Sequence, residues 1–157
     1  MAVTLERTTD GLPGGFAELE ADAKADGHGH MTRLAAEFAR SPAMFHAIFA
    51  CHFGGRLAGI GAITDEPAPT SQPTWRMRRL YVDRKFRRRK IARTIAMALL
   101  QEAAGKASIV TVHAGNDDAA QFWEAIGFHR VVGRAWSHEA RTLGATSGML
   151  GPEVARR

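Results

Sequence analysis

Cysteine is almost absent from this sequence, since Cys51 is the only cysteine among 157 residues. No disulfide can form within such a chain, which suits a reducing compartment, and we predict a cytoplasmic location. Cys51 lies in the apolar segment AIFACHF, which predicts a buried small side chain and not a nucleophile. An apolar run of about 18 residues, the length of a membrane helix, is also missing. The N-terminal residues lack the basic and apolar regions of a secretory signal, so we expect no membrane association.

Acidic side chains are scarce between Arg76 and Arg93, where Asp83 is the only acid. The same stretch carries ten basic residues: Arg76, Arg78, Arg79, Arg84, Lys85, Arg87, Arg88, Arg89, Lys90 and Arg93. We call it the 76–93 basic cluster. So much positive charge favours a polyanionic ligand, either the phosphates of a cofactor or a nucleic acid backbone.

The pattern of apolar and turn-forming residues predicts a single α/β domain over residues 1–157. The predicted elements are a strand over 2–7, helices over 16–25 and 30–40, a hairpin of 43–53 with 56–63, a strand over 74–82, a helix over 91–106, a strand over 108–114, a helix over 117–126, and closing strands over 128–136 and 137–143. Alternation along 74–82 places Tyr81 on the face of Trp75, Met77 and Arg79, where core contacts are expected. The glycine-rich residues 144–157 are expected to be loosely held.

One segment carries most of the chemical information: the strand RRLYV, the basic turn DRKF-RRRK and the helix IARTIAMALL. The start of a helix offers unpaired backbone N–H groups and the positive end of the helix dipole, so it binds anions. Arginines around it add bidentate contacts to phosphate. A pyrophosphate suits this arrangement, although neither the P-loop pattern nor GxGxxG is present.

These residues resemble the GNAT superfamily of N-acetyltransferases. In that family a strand ending in Leu-x-Val leads to an [Arg/Gln]-x-x-Gly-x-[Gly/Ala] turn, and later come an Asn, an aromatic pair and a Gly-Phe. The matching residues are Leu80-Tyr81-Val82, the turn Arg87-Arg88-Arg89-Lys90-Ile91-Ala92, Asn116, Phe122-Trp123 and Gly127-Phe128. The likeness is strongest over residues 44–143.

The resemblance implies a mixed, mostly antiparallel sheet of about six to seven strands flanked by about four helices. It also implies an enzyme that transfers the acetyl group of acetyl-CoA to a primary amine of a small molecule or peptide, by direct attack in a ternary complex. Homodimers through the last strands are common in the family, so a homodimer is one expected state. The cofactor-binding residues that it implies are Leu80, Tyr81, Val82, Arg87, Arg88, Arg89, Lys90, Ile91, Ala92, Arg93 and Asn116.

Two positions depart from the family pattern. Lys90 stands where the family has glycine, which lets the backbone approach phosphate without a Cβ in the way. Trp123 stands where many members have a tyrosine that protonates the departing thiolate. An indole N–H donates a hydrogen bond but does not give up its proton at neutral pH, so we favour a packing role for Trp123 over a catalytic one.

The general base is less clear, because the usual carboxylates on the central strands are missing. Thr111 occupies the expected position, and His113 lies two residues further on, so His113 is our candidate base. The alternative is that His113 has a structural role and is held by a hydrogen bond beside Asn116. His46 and His52 are weaker candidates, and so few nearby acids do not predict a metal site.

Two other functions are compatible with the sequence. A member of the family that binds acyl-CoA without catalysis would explain Lys90, Trp123 and the missing carboxylate. The 76–93 basic cluster would suit a nucleic-acid-binding module, but aromatic residues for base stacking are not interleaved there and no nucleic-acid motif is present. We therefore predict no nucleic acid partner.

Overall fold

The computed structural model describes residues 2–8 and 10–142, and the predictions made for residues 143–157 lie outside these ranges. The helices are α1 (Phe16–Ala25), α2 (His30–Arg40), α3 (Ile91–Ala103) and α4 (Asp117–Ala125). The strands are β1 (Val3–Thr8), β2 (Phe45–Phe53), β3 (Arg56–Asp65), β4 (Thr74–Val82), β5 (Ile109–Val112), β6 (His129–Arg130) and β7 (His138–Arg141). The described strands form a seven-stranded sheet in the order β1-β2-β3-β4-β5-β7-β6. Strands β4 and β5 are parallel, whereas β1 with β2, β2 with β3, and β5 and β6 with β7 are antiparallel, which confirms the predicted mixed fold.

The predicted hairpin forms as expected. Phe53 pairs with Arg56, so that Gly54 and Gly55 make a two-residue turn. Their φ angles are 60° and 83°, the left-handed pair that a type I′ turn requires and that glycine adopts without strain. This turn has the twist that joins two antiparallel strands.

The prediction that side chains alternate strictly along β4 is wrong. Arg79 has a φ of 58°, which interrupts the extended backbone in the manner of a β-bulge. As a result Tyr81 and Val82 are both buried, although they are neighbours, whereas Leu80 is only half-buried. The cause lies in a contact distant in sequence, described below.

The segment after α4 also differs from its prediction. Only His129–Arg130 of the predicted strand 128–136 pairs with β7, and the residues that follow make turns. Gly133 has a φ of 73°, which an extended strand does not contain. Strand β5 ends at Val112, so His113 lies just beyond it.

The chain forms two compact units, and β4 runs from one into the other. Residues up to Thr64 together with Arg78–Leu99 form the first unit, and Asp65–Met77 with the residues from Leu100 onward form the second. The prediction of a single domain stays a prediction. None of the helices in the described ranges combines the length and the apolar character needed to cross a membrane.

One core cluster of the first unit is made by α1, α2 and the strands β2–β4. Its buried side chains are Leu19, Ala23, Met31, Leu34, Ile48, Ala50, Leu57, Ile60, Ala62 and Tyr81. Helix α3 lies close against β3 and β4. A Cβ added to Gly61 would come within 2.9 Å of Ile95 and 3.1 Å of Leu80. Glycine at this position therefore sets how closely the helix approaches the sheet. That approach places the N-terminus of α3 at the end of β4.

Candidate functional site

The turn between β4 and α3 has an irregular backbone. Arg88 and Lys90 have φ angles of 68° and 60°, and Arg89 between them is not among the residues with positive φ. A backbone that changes handedness from residue to residue turns successive N–H groups to one side and forms a nest that binds anions. Lys90 therefore adopts a backbone conformation that glycine adopts more readily.

Helix α3 continues this anion-binding geometry. Its first backbone hydrogen bond runs from the N–H of Thr94 to the carbonyl of Lys90, at 3.0 Å. The N–H groups before Thr94 have no partner within the helix, and they carry the positive end of its dipole. Ile91 is 2% exposed and anchors the start of the helix. The exposed side chains at this end are Arg88, Arg89, Lys90 and Arg93.

Two arginines of the 76–93 basic cluster are paired with acidic side chains, one in helix α1 and one directly after it. Arg84 donates to Asp22 at 3.1 Å, and Arg87 donates to Asp26 at 3.0 Å. The Nε of Arg87 also donates to the carbonyl of Val82 at 3.1 Å. Burial opposes ionisation of Asp22, but the hydrogen bonds that it accepts hold its pKa below the usual value. These pairs tie the turn to α1. Arg84 and Arg87 stay about half exposed, and Lys85, Arg88, Arg89, Lys90 and Arg93 are exposed as well.

The end of β4 is held by Tyr81. Its side chain is 3% exposed, and its hydroxyl donates to Asp22 at 2.7 Å. Burial and the neighbouring carboxylate raise the pKa of Tyr81 well above its usual value, so the phenol stays protonated. A Cβ on Gly59 would lie 3.0 Å from the carbonyl oxygen of Tyr81, which shows how closely β3 approaches this strand.

The left-handed residue in β4 is clamped by α2. Arg79 donates from Nε to Oε1 of Glu37 at 3.1 Å and from Nη2 to Oε2 at 2.6 Å. Arg78 lies 3.7 Å from the same carboxylate. Burial opposes ionisation of Glu37, but the hydrogen bonds and charge of Arg79 hold its pKa below the usual value. This carboxylate is therefore ionised and fully engaged.

Two histidines at the start of α2 were missed by the sequence reasoning. The ring centroids of His28 and His30 lie 4.2 Å apart with the rings nearly perpendicular, and His28 lies 5.1 Å from the ring of Tyr81. Burial, then the charges of His28, Arg79 and Arg33, lower the pKa of His30 to about 4. Burial also lowers the pKa of His28. Both rings are therefore neutral near pH 7, and the motif His-Gly-His between two helices was the only signal in the sequence.

In the second unit, Thr111 is engaged in a buried cluster of hydrogen bonds. Its hydroxyl donates to Oε1 of Glu66 at 2.7 Å, and Arg76 donates to the same oxygen at 2.9 Å. Glu66 also accepts a hydrogen bond from the N–H of Ala68 at 2.8 Å. His113 is exposed in the segment between β5 and α4. Its role as the base stays a prediction.

The remaining predicted site residues of the second unit have structural contacts. Asn116 caps α4, because its side-chain oxygen accepts a hydrogen bond from the N–H of Ala119 at 2.8 Å. Trp123 is 6% exposed and lies against Phe122 and Phe128, with ring centroids 5.0 Å and 5.1 Å away. These contacts agree with the packing role that we favoured for Trp123. Cofactor contact by Asn116 stays a prediction.

The weaker histidine candidates lie on β2. The pairing of β2 with β3 shifts register between Cys51 and His52, so His46 and His52 do not sit on one regular strand. Cys51 is buried, and burial raises the pKa of its thiol, which confirms its expected place in the core. Within residues 2–8 and 10–142, no three His, Cys, Asp or Glu side chains are grouped so as to hold a metal ion.

The comparisons with known proteins agree with this geometry. The model of the acetyltransferase (GNAT) family matches residues 15–128. Among curated protein sequences, no match was found. Solved structures share the fold at identities too low to carry function by themselves.

Three of these structures illustrate the likeness. A protein of Exiguobacterium sp. 255-15 to which acetyltransferase activity is ascribed has a TM-score of 0.79 and 20% identity, over 90% of this chain and 94% of its own. A mutant AtaT toxin, bound to the C-terminus of the antitoxin AtaR and to acetyl-CoA, has a TM-score of 0.67 and 16% identity over 96% and 99%. The GNAT family N-acetyltransferase YhbS of Escherichia coli, in complex with CoA, has a TM-score of 0.66 and 15% identity over 95% and 85%.

Proposed function

Because this chain belongs to the GNAT acetyltransferase family, we propose that it is an N-acetyltransferase that moves the acetyl group of acetyl-CoA to a primary amine. The observation that carries the proposal is the turn over residues 87–92. It combines left-handed residues at Arg88 and Lys90 with the N-terminus of α3 and a dense positive charge. Acetyl-CoA carries a pyrophosphate and a further phosphate, which this turn suits.

The residues present fit the acyl donor in spite of Lys90. The family glycine supplies a left-handed backbone and leaves out a Cβ, and Lys90 meets the first of these needs because it already adopts the left-handed conformation. We assign the pyrophosphate to the backbone N–H groups of the turn and of the first turn of α3. The side chains of Arg88, Arg89, Lys90 and Arg93 add charge there. Arg87 acts differently, because its pair with Asp26 holds the turn in shape.

The reaction needs a nucleophilic amine, a donor for the oxyanion and close placement of the two reactants. The amine nitrogen bonds to the thioester carbonyl carbon, the C–S bond breaks, the nitrogen loses a proton and the thiolate gains one. We place the oxyanion donor on a backbone N–H of Leu80–Val82, by the resemblance. A thiol has a pKa of about 8.5, so its thiolate leaves without a dedicated acid. Trp123 in a core position is compatible with that chemistry.

The acceptor is a small-molecule or peptide amine, and AtaT and YhbS show that this fold accommodates acetyl-CoA or CoA. Calorimetry with acetyl-CoA, 3′-dephospho-CoA and a DNA duplex tests the donor site first. We expect saturable acetyl-CoA binding near one to one. Absence of that binding together with salt-sensitive DNA binding would overturn the proposal and favour the nucleic-acid module.

Charge reversal locates the donor site. Arg88→Glu places a carboxylate in the turn, and we expect it to weaken acetyl-CoA binding by about tenfold or more. Lys106→Glu, just after the C-terminal end of α3, is the matched control and should bind acetyl-CoA as the wild type does. Release of the CoA thiol with a panel of amines then tests turnover. A protein that binds acetyl-CoA but acetylates no amine would support the regulatory alternative.

A further inference from the structure

The backbone of the basic turn changes handedness at every residue from Arg87 to Lys90. Arg87 has a φ of −69°, and Arg88 has a φ of 68°. Arg89 is not among the residues with positive φ, and Lys90 has a φ of 60°. A left-handed backbone at a residue with a side chain is unfavourable, and here two such residues lie two positions apart. This alternation therefore needs contacts that hold it in place.

The two arginines of the turn with ordinary backbone angles each lie over an aromatic ring. Cζ of Arg87 lies 5.5 Å from the centroid of the Tyr81 ring, and Cζ of Arg89 lies 4.6 Å from the centroid of the Phe53 ring. A guanidinium within about 6 Å of a ring centroid is attracted by the negative face of the ring. Every second side chain of the turn is therefore held against the body of the protein.

The ring of Phe53 joins the basic turn to the tip of the β2–β3 hairpin. Phe53 is the last residue of β2, directly before the two-glycine turn, and it is half-buried. Its ring lies against that of Phe86, with centroids 5.5 Å apart. Phe86 belongs to the segment between β4 and α3, and its N–H donates to the carbonyl of Asp83 at 2.9 Å. Arg89, Phe53 and Phe86 thus form one stack.

A backbone hydrogen bond fixes the hairpin at the same place. The N–H of Asp83, the first residue after β4, donates to the carbonyl of Ala58 on β3 at 2.8 Å. Asp83 is 4% exposed, and its side chain accepts a hydrogen bond from the N–H of Lys85 at 2.9 Å. The start of the turn is therefore anchored to β3, which holds the ring of Phe53 beside the turn.

We propose that Phe53 is a positioning residue of the acyl-donor site, whose ring holds Arg89, and with it the backbone between the two left-handed residues, in the form that binds phosphate. This inference rests on the proposed function and deepens it. In this role the ring does not contact the cofactor. A turn that is already ordered loses less conformational freedom when the pyrophosphate binds. The guanidinium of Arg89 then stands beside the anion-binding nest without a further entropic cost of ordering its side chain.

Substitutions of Phe53 change the stack without removing any charge. Phe53→Leu keeps an apolar side chain but lacks the aromatic face, and we expect calorimetry to show acetyl-CoA binding about fivefold weaker. Phe53→Trp supplies the ring that attracts cations best, and we expect binding about twofold tighter, a gain that damage to the hairpin would not produce. Phe49→Leu is the matched control, because Phe49 is also a half-buried residue of β2, and it should bind acetyl-CoA as the wild type does.

A double-mutant cycle shows whether Phe53 acts through Arg89. Arg89→Lys keeps the charge but loses the planar group that lies over the ring, so it should weaken binding by a similar factor. In that background Phe53→Leu should weaken binding by less than about twofold, because the contact is already lost. Independent effects would multiply to about 25-fold in the double variant, and that result would overturn the inference.

A second measurement does not depend on the cofactor. Protons above the face of an aromatic ring resonate upfield, so the Nε–H and δ protons of Arg89 should be shifted upfield in the proton spectrum of the free protein. Arg89→Lys assigns these signals. Phe53→Leu should return them to their usual positions, and Phe49→Leu should not. Saturation with acetyl-CoA should leave the upfield shift in place.

The outcomes distinguish this inference from the proposed function. Equal acetyl-CoA binding by folded Phe53→Leu and Phe49→Leu overturns the inference and leaves the acetyltransferase standing. Tighter binding by Phe53→Leu also overturns it, because Arg89 would then have to leave the ring to reach the phosphates. A protein that shows the expected dependence on Phe53 but acetylates no amine supports the inference and overturns the proposed function. A wild type that does not bind acetyl-CoA overturns both.

Discussion

Removal of the Glu37 carboxylate tests the contact that shapes β4. Glu37 and Arg79 share hydrogen bonds of 3.1 Å and 2.6 Å, and their side chains are 12% and 20% exposed. Breaking a fully buried ion pair costs about 3–5 kcal/mol, whereas a fully exposed pair contributes about 0–1 kcal/mol. The low but measurable exposure places Glu37→Ala between these limits, at about 2–3 kcal/mol of unfolding free energy.

The same change should disturb the site. A left-handed conformation at a residue with a side chain costs about 1–2 kcal/mol, and Arg79 adopts one with a φ of 58°. Without Glu37 that cost is not offset, so β4 can relax towards a regular strand. The side chains of Leu80–Val82 would then move to the opposite faces of the sheet. We therefore expect Glu37→Ala to weaken acetyl-CoA binding as well as stability. Arg79→Gly loses the pair but keeps the left-handed conformation, so it should lose stability with less effect on binding.

Urea denaturation of wild type and variants measures the effect. A loss of about 2–3 kcal/mol corresponds to about 5–10 °C in Tm for a chain of this size. Glu18→Ala, an exposed carboxylate on α1, is the control and should change stability by less than about 0.5 kcal/mol. Since the folded pKa of Glu37 lies below its unfolded value of about 4.3, its contribution is present above that pH and is lost in stronger acid. A Glu37→Ala loss equal to that of the control, or one that persists in strong acid, would refute the reasoning.

Three further changes test other contacts. Gly61→Ala places a methyl group 2.9 Å from a side-chain carbon of α3, and we expect a loss of about 1–3 kcal/mol by urea denaturation, with Gly11→Ala, in open space, as the neutral control. Tyr81→Phe removes the 2.7 Å hydrogen bond to Asp22, and should cost about 1–2 kcal/mol and raise the carboxylate pKa, measured by NMR. The pKa of His30 is about 4 when folded, so its unfolded form binds protons more readily and stability falls as the pH drops from about 6.5 to about 4. His30→Asn should reduce that slope in urea midpoints, since His28, whose pKa burial also lowers, keeps its own share, and an unchanged slope would contradict the assignment.

Local sequence patterns predicted most of the fold. Two consecutive glycines between apolar runs predicted the hairpin, and Gly54 and Gly55 adopt the left-handed angles that the pattern implied. The apolar stripe after the basic turn predicted α3, and buried Ile91 and Ile95 lie on it. Such patterns involve residues that are close in sequence, so the elements they form can be predicted from the sequence alone. The prediction failed over 128–136, where only two residues joined a strand.

Contacts between distant residues explain what the sequence reasoning missed. The left-handed Arg79 depends on Glu37, 42 positions away, and no local pattern marks it. Arg87 was assigned to the cofactor by its position in the turn, but its side chain also pairs with Asp26, 61 positions away. His28 was passed over because an isolated histidine near glycines resembles an ordinary loop residue.

The sequence by itself determined the order of the elements and the position of the basic turn, because periodicity, turn glycines and clustered charge are local properties of a chain. The family followed from the resemblance of its motifs. Only the tertiary structure decided which charges are paired and which histidines are neutral. Ionisation depends on burial and on neighbours that folding brings together, as the pair of His28 with His30 and the engaged Glu37 show. The chemistry proposed for this protein therefore rests on contacts that exist only once α1 and α2 lie against β4.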